Sequence, residues 1–223
     1  MPSAGSTKDR ADYPGGGPWV PERLSLSAIR TSAQACEGCD LFRDATQAVV
    51  GDGPRDARLM VIGEQPGDKE DLAGEPFVGP AGRLLDRALE DAGIAATTVF
   101  RTNAVKHFRF SGTRGKQRIH QSPSRWQVTA CGPWLLAELE VVRPQVVVVL
   151  GATAGQAVFG PSFRVGAARG RSMGWEETKL ELAHPPKTVV ATTHPSAVLR
   201  SRQRDEDYAA FVADLKVASA AVG

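Results

Sequence analysis

The sequence predicts an α/β protein: a three-layer α/β/α sandwich around a central, mainly parallel four-stranded sheet. Three observations carry this. Short apolar runs at residues 59–62, 99–105, 146–150 and 188–192 have the length and β-branched character of strands. Helix-length segments separate them, the spacing expected of parallel strands joined by crossover helices. The run at 146–150 is uninterrupted valine and leucine, as in a strand covered on both faces.

The elements follow in order. Residues 1–21 are rich in Gly, Pro and Ser and lack the apolar stretch of a signal peptide, so a disordered tail is expected there. Residues 22–223 suit one domain, with no repeat or linker to divide them. A helix at 24–35 leads into Cys36-Glu37-Gly38-Cys39. The strand at 59–62 is stopped by Gly63, Pro66 and Gly67, and a helix at 80–91 follows. The strand at 99–105 carries Asn103 near its end, and a long polar loop leads to a helix at 123–142. After 146–150, Gly151-Ala152-Thr153-Ala154 turns into another helix. The strand at 188–192 ends at His194-Pro195-Ser196, and a closing helix spans 203–221.

Composition excludes little. A formal charge of +2 and pI near 8.5 are too mild to establish a nucleic-acid partner. No apolar run approaches membrane-spanning length. With only three cysteines and no export signal, a cytoplasmic chain with reduced thiols is expected.

Polar residues mark three strand ends: Glu64, Gln65 and Asp68 after the first, Asn103 at the second, His194 and Ser196 after the last. In a parallel sheet all these ends share one edge, where open α/β sheets place their ligand crevice. A carboxylate and an amide held there on a stiff turn read as a reaction site.

Gly63-Glu64-Gln65-Pro66-Gly67 with Pro76-Phe77-Val78-Gly79-Pro80-Ala81-Gly82-Arg83, Asn103-Ala104-Val105-Lys106-His107 and His194-Pro195-Ser196-Ala197-Val198-Leu199-Arg200 resembles the uracil-DNA glycosylase superfamily, in its iron–sulfur family 4 branch. The loop Lys116-Gln117-Arg118-Ile119-His120 is similar to the insertion of the UdgX group within that branch, with Gln117 where the group usually has arginine. The similarity runs from about residue 36 to residue 215.

The resemblance implies roles that suit the chemistry. Breaking a glycosidic bond puts negative charge on the departing base and cationic character on the sugar. By resemblance, Phe77 stacks on a flipped uracil and Asn103 reads its edge. His194 donates to the uracil carbonyl as charge builds there, and Glu64 faces C1′. Gln65 and Asp68 shape the pocket or hold the sugar, and Ser196 anchors phosphate. Arg118 belongs to a stretch with Arg109, Arg114 and Lys116 that carries no acidic residue between His107 and His120, a field suited to phosphates. His120, as a neutral imidazole, is a competent nucleophile. The UdgX resemblance implies that it traps the sugar and leaves protein and DNA covalently joined.

Cys36 and Cys39 have metal-ligand spacing, with His107 and Cys131 as the remaining candidates. The resemblance makes these four the ligands of a [4Fe–4S] cluster, while the donor set alone leaves zinc open. The expected protein is therefore a monomeric uracil-DNA glycosylase-type enzyme acting on single- or double-stranded uracil-containing DNA. The alternatives are a turnover glycosylase with water directed by Glu64, a non-catalytic uracil-DNA binding module, and an iron–sulfur redox protein whose Gly-rich turn binds a nucleotide.

Overall fold

The computed structural model describes residues 12–222. Among these described residues seven strands form: β1 (Leu59–Gly63), β2 (Val99–Asn103), β3 (Phe110–Arg114), β4 (Gln117–His120), β5 (Val146–Leu150), β6 (Ser172–Gly174) and β7 (Thr188–Thr192). The α-helices are α1 (Leu26–Ala33), α2 (Asp68–Ala73), α3 (Pro80–Asp91), α4 (Arg125–Val142), α5 (Gly151–Phe159), α6 (Val165–Ala168), α7 (Pro195–Arg200) and α8 (Arg204–Val222).

The central sheet has the order β2-β1-β5-β7-β6. The four expected strands pair in parallel. The fifth, β6, adds antiparallel on the β7 edge, so the sheet has five strands rather than four. Its three residues, Ser-Met-Gly, give no apolar run for sequence reading to detect.

Alternation along the strands builds both halves of the core. Leu59, Val61, Val99, Val146, Val148 and Val190 face α3 and α8 through Leu85, Leu89, Phe211 and Leu215. Met60, Ile62, Phe100, Val147, Val149 and Val189 face α4 and α5 through Leu135, Leu139 and Val158. A third cluster joins α1 and α4 around Ile29, Trp134 and the cysteines.

Of the segment expected as a tail, residues 1–11 lie outside the described residues. The rest is anchored: the Gly15 and Gly16 N–H groups donate to the carbonyls of Gly38 (3.0 Å) and Ala130 (2.7 Å). Tyr13 packs on Trp126 with ring centroids 5.9 Å apart.

The polar loop after β2 is in fact a hairpin, β3–β4, separate from the main sheet. Polar and exposed on nearly all positions, it offers no apolar alternation from which strands would be read.

Candidate active site

The carboxyl ends of β1, β2 and β7 and the hairpin enclose one cavity of about 960 Å³. Glu64, Gln65, Asp68, Phe77, Asn103, Arg118, His120, His194 and Ser196 all line it, so the structure brings together every expected site residue except the metal ligands. Parallel register explains much of this, since Gly63 pairs with Asn103 and sets the two strand ends level.

The floor is Asn103 and Phe77. Gly63 lies against both: a Cβ there would meet Asn103 Oδ1 and stand 2.7 Å from Phe77 Cζ. Phe77 is buried and has a φ of 61°, a region costly for a bulky side chain. The turn thus holds the ring as a fixed wall beside Asn103. Beneath them, the Lys106 ammonium donates to the Asn103 carbonyl (2.7 Å), Thr102 Oγ1 (2.7 Å) and Glu138 Oε2 (2.8 Å). Both charged side chains are 1% exposed. Glu138 also accepts from the Gly51 N–H and the Thr102 hydroxyl, so this buried pair is fully bonded.

His194 caps α7. The Ser196 N–H donates to His194 Nδ1 (3.2 Å), and the Ser196 hydroxyl lies 2.8 Å from the same nitrogen. A nitrogen that accepts a backbone N–H carries no proton, so the neutral ring bears its proton on Nε2. Burial lowers the His194 pKa to about 4, with Glu64 opposing and His120 and Arg200 assisting, which keeps the ring neutral. Ser196, expected at phosphate, lines the cavity with its hydroxyl against His194.

His120 stands at the end of β4, its side chain 48% exposed and its Nε2 3.5 Å from Glu64 Oε1. Burial and the nearby Arg200 lower its pKa, while Glu64 pulls the other way. The other carboxylate oxygen of Glu64 accepts from the Thr153 hydroxyl at the start of α5.

Two side chains expected to face substrate hold the hairpin. The Gln65 amide donates to the carbonyls of Arg109 and Gln121, both at 3.1 Å, and accepts the Arg109 N–H at 3.1 Å. It therefore bridges the two legs of the hairpin at their base. Arg118 turns inward: its Nε donates to Asp68 Oδ1 (2.5 Å), Nη1 to Asp71 Oδ2 (2.8 Å), and Nη2 to the Asp68 carbonyl (3.3 Å). Its guanidinium also lies over Phe108 and Phe110 at 5.2 and 5.1 Å. Asp71, fully buried, and Thr153 were missed by sequence reading. The first was signalled by its i, i+3 spacing from Asp68 on α2; the second by its place just past the end of β5.

The cysteines gather in the α1–α4 cluster and form no disulfide. The Trp134 indole N–H donates to Cys36 Sγ (3.3 Å) and the Lys106 N–H to Cys131 Sγ (3.2 Å). Burial raises the Cys39 and Cys131 thiols to about 11 and about 12, and lowers the His107 ring to about 4. Among the described residues, no three His, Cys, Asp or Glu side chains converge closely enough to hold a metal ion.

The sequence is similar to known proteins. Residues 50–216 match the model of the uracil DNA glycosylase superfamily. The chain belongs to that superfamily. It is 34% identical over 181 residues to the type-4 uracil-DNA glycosylase of Thermotoga maritima, covering 81% of this chain and 86% of that protein. Against the type-4 uracil-DNA glycosylase of Archaeoglobus fulgidus it is 35% identical over 184 residues, covering 82% and 88%. Membership accounts for the mainly parallel sheet and its flanking helices. The hairpin and the pairing of His120 with Glu64 are features of the geometry described above.

Proposed function

We propose that this protein excises uracil from DNA and that His120 then captures the sugar, leaving protein and DNA covalently joined. The observation that carries this is His120 Nε2 lying 3.5 Å from Glu64 Oε1, in the cavity that also holds Asn103, Phe77 and His194.

Uracil flipped into the cavity stacks on Phe77 and pairs its edge with the Asn103 amide. The bond between base and C1′ breaks heterolytically, and the electron pair leaves with the base. The His194 Nε2–H donates to the carbonyl oxygen where that charge collects. Glu64 faces the oxocarbenium-like sugar and offsets its charge. One nitrogen of the His120 imidazole then forms a C–N bond to C1′ in place of water, and the imidazolium so formed releases the proton on its other nitrogen to solvent, the side chain being half exposed. Exposed Arg114 and Arg200 at the cavity mouth supply positive charge for the DNA backbone.

Cys36, Cys39, Cys131 and His107 suit a [4Fe–4S] cluster in donor type alone, three soft thiols and an imidazole, while their side chains do not converge as a ligand set in this structure. The group would tie the N-terminal segment to α4 and to the strand that bears Asn103. Purified protein should contain iron; stoichiometric zinc without iron overturns the cluster and leaves the cavity chemistry untouched.

The relatives are named as uracil-DNA glycosylases, and a second reading is a glycosylase in which Glu64 directs water and the enzyme turns over. Incubation with a uracil-containing oligonucleotide and a denaturing gel separate the two. Covalent capture gives a shifted band whose digested adduct lies on His120, and His120→Ser loses the band while still releasing uracil. Full uracil release with no adduct establishes turnover, and no release at all leaves only a binding module.

A further inference from the structure

The turn that opens α5 touches both histidine and carboxylate sides of the cavity. Gly151 has a φ of 86°, and a Cβ on it would stand 3.1 Å from His194 Cβ. Two residues on, the Thr153 hydroxyl donates to Glu64 Oε2. Glu64 is thus held from opposite sides, with Thr153 on one oxygen and His120 on the other.

A carboxylate at a strand end has free rotation about its last bonds unless something fixes it. Among the described residues nothing else bonds the Glu64 carboxylate in this way: its backbone carbonyl accepts the Val105 N–H, which places the strand end but not the carboxylate. Thr153 is the neutral hydroxyl donor among its contacts, and it lies in the first turn of a helix, where partial positive charge also favours an anion. The hydroxyl's proton is engaged on Glu64, so its task is to hold the carboxylate.

We infer that Thr153 is a positioning residue: its hydroxyl sets the rotation of the Glu64 carboxylate, so that the other oxygen faces the sugar and His120. This rests on the proposed uracil-excision chemistry. It differs from that proposal in assigning a distinct task to a residue outside the motifs at the ends of β1, β2 and β7.

The test compares Thr153→Val, which keeps shape and removes the donor, with Thr153→Ser, which keeps the donor and removes a methyl. Single-turnover uracil release is measured at saturating uracil-containing oligonucleotide, with DNA affinity measured in parallel. Thr153→Val should release uracil about tenfold more slowly, the order expected for losing one hydrogen bond to a charged group. Its DNA affinity should stay within about twofold of wild type, because the residue meets no phosphate. Thr153→Ser should recover the rate to within about threefold by restoring the donor. A purely packing role predicts the reverse order, since serine loses the methyl that valine keeps. Wild-type rate in Thr153→Val, or equal slowing in both variants, overturns the assignment. If valine is not accommodated, Thr153→Ala is read against Thr153→Ser by the same criteria. The covalent reading is judged separately, from the adduct band of the wild type. Release without adduct would end that reading, yet the rates of the Thr153 variants would still decide this one.

Discussion

Removing the Arg118 side chain should cripple covalent capture while sparing uracil release. Arg118 is 16% exposed and bonds Asp68 and Asp71, whose side chains are 16% and 0% exposed. Breaking such a pair by deleting one partner costs about 3–5 kcal/mol. The lower end applies here, because Asp71 keeps the Thr46 N–H at 3.1 and 3.0 Å on its two oxygens. A loss near 3 kcal/mol lowers the docking equilibrium constant of the hairpin by on the order of a hundredfold, at about 1.4 kcal/mol per factor of ten. Some docking survives through Gln65, so the adduct rate in Arg118→Ala should fall between about tenfold and a hundredfold. Uracil release should fall less than about threefold, because Glu64, Asn103 and His194 are seated on the sheet and not on the hairpin. Both rates are read in one quenched time course, as free uracil and as shifted band. The salt dependence of DNA affinity adds a check. An inward-facing Arg118 contributes no phosphate contact, so its removal leaves the slope unchanged, whereas loss of a true phosphate contact lowers it by about one. Capture at the wild-type rate, or a slope reduced by one unit, would refute the tether.

Other outcomes follow from the same geometry. The proposed attack by His120 needs its neutral ring, and burial with Arg200 keeps its pKa below 6.5. The adduct rate should therefore hold steady as pH falls to 6.5 and drop only below it; a midpoint above 6.5 contradicts the assignment. His194, at about 4, stays neutral through that range and does not produce the limb. Lys106→Met strands the buried Glu138 carboxylate and should cost about 3–5 kcal/mol, roughly 6–20 °C in melting temperature for a chain of this size. Lys106→Met with Glu138→Leu should regain most of that stability, and an undiminished melting point in the single variant would show the pair to be dispensable. Gln65→Ala removes three bonds at the base of the hairpin and should weaken capture more than release, scored on the same gel.

The helix at 80–91 and the strands at 146–150 and 188–192 form within the expected limits, because apolar periodicity and flanking Gly and Pro both mark them. Strand ends reveal the cavity for a similar reason: parallel topology sends Glu64, Asn103 and His194 to one edge whatever their neighbours are. What each side chain bonds is a different matter. Gln65 and Arg118 are polar residues in a polar stretch, and only the fold decides that one bridges the hairpin legs and the other turns onto Asp68 and Asp71. The β3–β4 hairpin itself is illegible because strand pairing without a buried face leaves no alternating pattern. The anchored residues after Asp12 are missed likewise: glycines and prolines that signal disorder also suit a close-packed segment held by backbone bonds.

None of Phe110–His120 belongs to the three buried clusters, so the hairpin carrying the proposed nucleophile contributes nothing to the core. Fold and capture are consequently open to independent variation. A lineage can rewrite this cassette of about a dozen residues without touching the buried clusters of the domain. An enzyme that lets its product go and one that stays bound to it for good then lie within a few substitutions of each other, and the same separation makes the hairpin a unit that can be grafted onto a related scaffold.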